Sequence, residues 1–325
     1  MTGKLEQQIK LIAQHNGLIL LYHFIARETP DALLKTLHNV PPTTLQTHIK
    51  ALSRFFKFVS LREFSRAKSK RGLAAITFDD GYRNVIKNAL PVLEYFGYPA
   101  TLFLNPITFS KRCSWRDKIR YLIHHQLEQE FASEFSFHNK SGRFYRYSKH
   151  PQNNSALLDQ ALDNFLNNFL HNFPQRRRNN LGGDLGDDLG DSICSDLYGN
   201  SPYAQIPNLP THHPLMSYGN HSQNHYVLSS LTDSQQAQEI ERAHQCLQDI
   251  PNLTLSECFS APFGGDQDIN SATYELVKAM DYQSLLMSRQ RIQPGQSATN
   301  KIQVLERFVP RSDDIIGELT QAYHM

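Results

Sequence analysis

The chain is poor in cysteine, in long apolar runs and in net charge. Its four cysteines, Cys113, Cys194, Cys246 and Cys258, show neither Cys-x-x-Cys spacing nor a dense framework. That excludes a zinc ribbon and a disulfide scaffold, and reduced thiols are the expected state. No stretch approaches the ~18 apolar residues of a membrane-spanning helix. The first apolar run, 18–21, is too short for a signal-peptide core. A cytoplasmic protein is therefore expected. Thirty-three Lys+Arg against 31 Asp+Glu leave a formal charge of +2, scattered along the chain, so the basic footprint of a nucleic-acid partner is missing. Oligomeric state is not legible.

What is present is an alternation of short apolar runs with longer segments of helical period, the pattern of βα units around a parallel sheet. Strands are expected at 18–23, 74–78, 100–104, 216–220, 257–261, 284–287 and 304–308, and helices at 43–56, 84–96, 232–247 and 271–280. Seven strands in 325 residues predict a single α/β domain, a barrel whose chemistry sits at the C-terminal ends of its strands. Residues 111–214 break the rhythm and read as a rim insertion with helices at 115–129 and 155–172. It also holds a repetitive Asp-Leu-Gly tract, 176–192, which lacks the side-chain volume for a core and is expected to be flexible.

Four groups of residues carry chemistry, and each follows an apolar strand. Thr77-Phe78-Asp79-Asp80-Gly81 sets two carboxylates side by side, so that one can hold a cation while the other takes a proton from water. His221 and His225 are four residues apart, the spacing that brings both onto one face of a helical turn. With Asp80 they make a three-ligand set that leaves a position open, the catalytic kind of zinc site. Pro262-Phe263-Gly264 offers a groove wall with an aromatic face for a sugar. Tyr22-His23 ends the first strand, where the pair lies on the same rim.

In this order and setting the motifs resemble the polysaccharide deacetylases, the NodB-homology domain of carbohydrate esterase family four. The likeness runs over about residues 17–110 and 214–310 and includes Leu21-Tyr22-His23, Ala89-Leu90-Pro91 and Pro99-Ala100-Thr101. It implies a distorted (β/α)7 barrel and a metal-dependent hydrolase that removes an N-acetyl group from an amino sugar of a glycan or glycan precursor. Carried over by position, Asp80, His221 and His225 hold a divalent metal, zinc first with Co2+ or Ni2+ as alternatives. Asp79 is the general base, the backbone N–H of Tyr82 meets the oxyanion, and Tyr22, Pro262 and Phe263 line the substrate site. Two departures stand out. Ser260 replaces the arginine that in the family steadies the base, and Arg307 is the expected substitute. The Leu-x-x-His motif of the general acid is absent, which leaves His23 as the expected acid and His324 as a weaker second. The rival readings are a catalytically silent carbohydrate-binding module that keeps the metal site, and a deformylase or O-deacetylase on the same scaffold.

Overall fold

The computed structural model of the protein describes residues 3–110, 113–134, 154–172, 189–295 and 302–323. Among the described residues, a nine-stranded sheet has seven parallel strands that pair in chain order, β1 (Asn16–Tyr22), β2 (Leu73–Phe78), β3 (Ala100–Leu104), β4 (Met216–Asn220), β5 (Leu255–Ser260), β6 (Ser284–Met287) and β7 (Gln303–Glu306), with two-residue strands Lys57–Phe58 beside β2 and Gln293–Pro294 beside β1. The register brings Tyr22 beside Phe78, Phe78 beside Leu102, Leu104 beside Asn220 and Met287 beside Glu306. Beyond β7 the chain returns to β1. Leu20 bridges Phe308 in parallel, with Leu21 N–H donating to Phe308 O at 2.9 Å and Phe308 N–H to Ile19 O at 2.8 Å. The sheet is thus nearly closed, the distorted (β/α)7 barrel anticipated.

The strands are apolar on both faces because helices cover one and the barrel interior takes the other. Side chains alternate along each strand. Leu18, Leu20, Tyr22, Ile76, Phe78 and Leu102 join the core that the helices cover, while Ile19, Ala75, Phe103, Cys258, Leu286 and Leu305 form a separate interior cluster. Glycine is required at 219, where a Cβ would stand 2.3 Å from the Phe103 ring. That ring fills the barrel, and the Arg307 guanidinium lies 5.9 Å from its centroid.

The helices differ from expectation where local chemistry intervenes. Residues 84–96 begin as a π-helical turn, Val85–Ala89, and become α-helical at Leu90–Phe96. Pro91 has no N–H to give to the preceding turn, and this favours the change of pitch. Asp233–Gln248 starts from the reciprocal Thr232/Gln235 capping box. In the insertion, the helix expected at 115–129 divides into Trp115–His124 and Glu128–Glu134, and Ser155–Asn172 appears with the bounds expected. Residues 176–188 of the Asp-Leu-Gly tract lie outside the described residues. Its end, 189–192, is not loose: it opens the helix Leu189–Tyr198. Among the described residues, no helix is long and apolar enough to cross a membrane.

Candidate metal centre and active site

At the end of β2 the backbone turns sharply, with φ of 73° at Asp80 and 68° at Gly81. A non-glycine residue held at positive φ is costly and persists where its surroundings enforce it. The turn aims Asp79 and Asp80 into a cavity of about 240 Å³ at the strand ends. His221 and His225 reach the same cavity from the end of β4. The helical turn expected for them is not formed: the segment is a loop, with φ of 64° at Ser222 and 59° at His225. Hydrogen bonds shape it instead. Asn105 donates to the carbonyls of His221 and Ser222, Ser222 N–H donates to Asn220 Oδ1, and His225 N–H to Ser222 Oγ. Glu239 anchors it from Asp233–Gln248, accepting from Asn224 N–H at 2.8 Å and Asn224 Nδ2 at 2.6 Å.

One ligand atom from each of Asp80, His221 and His225 lies within 4.8 Å of the other two, and all three residues are buried. His225 Nε2 is 3.2 Å and His221 Nε2 3.6 Å from Asp80 Oδ1. His221 Nδ1 lies 2.8 Å from Ser260 O. A carbonyl only accepts, so Nδ1 carries a proton and Nε2 is the ring atom turned to the centre. Burial, aided by the Arg116 guanidinium, pushes His225 well below its usual range and keeps it neutral. Neither oxygen of the Asp80 carboxylate has an aligned hydrogen bond among the described residues. Two imidazoles and a carboxylate, all buried and converging within 4.8 Å, fit a borderline divalent ion.

Asp79 stands beside this trio, 3.6 Å from His221 Nε2 through its Oδ2. Arg307, fully buried, donates from Nη1 to Asp79 Oδ1 at 2.8 Å. Ser260 Oγ is 3.2 Å from both carboxylate oxygens. Burial pushes Asp79 up, but Arg307 and His221 outweigh it and hold the carboxyl below its usual value. The two residues that mark the departure from the arginine pattern therefore meet on the same carboxylate.

Other expectations divide. His23 lines the cavity, its Nδ1 3.3 Å from His38 Nδ1, and burial pushes it down to about 3. Phe263 also lines the cavity, its ring edge-on to His225 at 4.6 Å. Tyr22 does not reach it, which corrects its assignment to the substrate site. Its side chain is fully buried, stacked near His48 and Phe78, with its hydroxyl 3.0 Å from His48 Nδ1. The alternation of β1 sends Leu21 and His23 into the cavity and Tyr22 the other way. Pro262 is buried and is not among the residues that line the cavity. The Tyr82 ring packs between Phe24 and Tyr203. Its backbone forms an antiparallel bridge to Tyr203, bracketed by Arg83 N–H to Pro202 O and Ala204 N–H to Gly81 O, so the Tyr82 N–H points away from that pairing. His324 lies outside the described residues.

Arg116 has no signal in the sequence. The helix Trp115–His124, N-capped by Ser114, carries its guanidinium to 2.8 Å from Asp80 Oδ1. Together with His225 and His221 it outweighs burial and holds the Asp80 carboxyl well below its usual range. Trp115 secures the helix by donating Nε1–H to His225 O at 3.0 Å. A second histidine–carboxylate group, His124, His125 and Asp196, lies where the end of Trp115–His124 meets Leu189–Tyr198, with His125 Nε2 2.7 Å from Asp196 Oδ2.

A nearly closed parallel barrel with an Asp-His-His trio and a second carboxylate at its C-terminal rim defines the class of barrel hydrolases. A profile of the polysaccharide deacetylase family matches residues 66–162 and 212–285, more than half the chain, and the protein belongs to that family. The match extends to residue 162, into the segment read as an insertion. The fold is similar to that of the deacetylase PplD of Streptococcus pyogenes in complex with acetate, 16% identical over 94% of this chain and 97% of that one, TM-score 0.56. It is also similar to IcaB from Ammonifex degensii, 14% identical over 96% and 98% of the two chains, TM-score 0.52. A search of curated protein sequences finds no match. Family membership supports an enzyme that deacetylates glycans.

Proposed function

We propose that the protein is a metal-dependent N-deacetylase acting on an amino sugar of a glycan or glycan precursor, with Asp80, His221 and His225 as the metal ligands. A divalent ion held there, zinc first with cobalt or nickel as alternatives, would acidify water and polarise the acyl oxygen. Asp79 serves as the general base. Arg307 holds Oδ1 of its carboxylate and keeps it ionised, Ser260 Oγ lies 3.2 Å from both oxygens, and Oδ2 is on the side of His221. His23 carries a proton to the leaving amine. It rests neutral in this structure, so it acts as a shuttle that first receives the proton rather than as a standing acid. The backbone N–H of Tyr82 supports the acyl oxygen, and such a donor contributes about 3 kcal/mol. Phe263 gives the sugar an aromatic face.

The observation that carries this reading is the buried Arg307–Asp79 pair placed against the Asp-His-His trio. A binding module would have no use for a base held in this way. The test is acetate release from N-acetylated oligosaccharides by chelator-treated protein with zinc or cobalt restored, comparing wild type with Asp79→Asn. Metal-dependent release that Asp79→Asn abolishes supports the proposal. If neither protein releases acetate while sugar binding persists, the binding-module reading stands. Release confined to O-acetyl or N-formyl substrates moves the assignment to the corresponding variant.

A further inference from the structure

We infer that His38 is a positioning residue that fixes the tautomer of His23 and so presents a bare Nε2 to the cavity. The inference rests on the reading of His23 as proton carrier. The backbone first brings the two rings together: Phe24 N–H donates to His38 O at 3.2 Å, Val40 N–H to Phe24 O at 3.0 Å, and Phe24 bridges Asn39. The imidazoles meet edge to face, 5.4 Å between centroids and 88° between planes, with Nδ1 opposite Nδ1 at 3.3 Å. His38 Nε2 lies 2.7 Å from Pro310 O.

A chain of donors follows. The Pro310 carbonyl can only accept, so His38 Nε2 carries a proton. A neutral imidazole has one N–H, so His38 Nδ1 is left with a lone pair, and burial holds His38 below its ordinary value in support of the neutral form. His23 Nδ1 must then be the donor across the 3.3 Å gap. Its Nε2, at the far side of the ring, is left without a hydrogen.

The next carbonyl pair of the same loop repeats the device: His48 Nε2 lies 2.7 Å from Ser312 O, and its Nδ1 is left to accept from the Tyr22 hydroxyl. The loop is held by Glu318, which accepts from Arg311 N–H and Ser312 N–H. A segment 285 or more residues from β1 thereby dictates which nitrogen of His23 is basic.

The tautomer matters because a proton carrier needs an empty nitrogen facing the reacting groups. His23 Nε2 accepts the proton that the attacking water gives up through Asp79 and becomes an imidazolium, with Nδ1–H still donated to His38. Passing that proton to the amine nitrogen as the C–N bond of the tetrahedral intermediate breaks restores the neutral ring and releases the amine. With the opposite tautomer the cavity would face an N–H that cannot receive a proton.

The test is 15N NMR of the full-length protein with labelled imidazoles, together with steady-state kinetics. In wild type, His23 is expected to show a protonated Nδ1 and a bare Nε2. In His38→Phe the proton is expected to move to Nε2, and kcat to fall at least about tenfold with KM little changed. His38→Gln can accept from His23 through its carbonyl and donate to Pro310 through its amide, and should keep both the tautomer and most of kcat. A protonated Nε2 in wild type, or a tautomer unchanged in His38→Phe, overturns the inference. Should His38→Phe fail to fold, the wild-type spectrum and the Gln variant decide alone. The NMR readout needs no turnover, so loss of the proposed activity and loss of this inference are told apart.

Discussion

Arg307→Met removes the cation that steadies the proposed base while preserving most of the side chain's bulk. The guanidinium makes three contacts from a fully buried position: Nη1 to Asp79 Oδ1 at 2.8 Å, Nη2 to Ser288 Oγ at 2.9 Å and Nε to Met287 O at 3.3 Å. Deleting one partner of a buried pair costs about 3–5 kcal/mol, because the other charge stays buried without compensation. Against a stability of about 5–15 kcal/mol the variant still folds, at a lower Tm. The chemical consequence follows from the sign of the perturbation. Burial raises the Asp79 carboxyl and Arg307, with His221, lowers it below its usual value. Removing Arg307 therefore raises it, and the acid limb of the activity profile moves to higher pH. A depressed carboxyl stabilises the fold above the unfolded carboxylate range, and that contribution is lost as pH falls through the lower folded value. Arg307→Met thus also loses the acid resistance conferred by the pair. Turnover should fall about 100-fold, the lower end for impaired general-base catalysis. Metal content by elemental analysis should match wild type, since none of the three contacts reaches the trio. Unchanged turnover with an unmoved acid limb would refute the role given to Arg307.

Arg116→Met should tighten zinc binding at least tenfold by calorimetry, since a guanidinium 2.8 Å from Asp80 Oδ1 repels an incoming dication by several kcal/mol at an effective dielectric of about 20; equal or weaker binding contradicts this. Glu239 is pushed up to about 7, chiefly by burial. Its raised value stabilises the fold below the ordinary carboxylate range, and that stability, roughly 3 kcal/mol, is lost as pH climbs through 7. Denaturant titrations of Glu239→Gln should show a flatter dependence on pH between about 5 and 7, and a slope equal to wild type would show that the carboxyl is not the source. Gly219→Ala places a Cβ against the Phe103 ring and should lower stability by about 1–3 kcal/mol in urea unfolding, with no change expected if the ring can step aside.

Much of the barrel is legible because short, continuous apolar runs give buried parallel strands and strand ends give sites, so Asp79, Asp80, His221, His225 and even Arg307, just past the last strand, can be placed before any coordinates. Legibility fails where the deciding contact is remote or the backbone is unusual. The i, i+4 spacing of His221 and His225 suggests a helical turn, but left-handed residues at Ser222 and His225 bring the rings together by another route. Tyr22 and His23 are neighbours on one strand, and alternation alone could have separated them: only one of the two can face the cavity. Arg116 and His38 are invisible in sequence because each acts through a partner, Asp80 or Pro310, that only the folded chain brings near.

The proposed chemistry requires one divalent ion among Asp80, His221 and His225. Crystals of the zinc-loaded protein, measured on both sides of the zinc absorption edge, test this directly. An anomalous peak bonded to one oxygen of Asp80 and to Nε2 of both histidines, absent in Asp80→Asn, is the expected result. A site without the peak at saturating zinc, or a peak displaced onto His124, His125 and Asp196 alone, would contradict it.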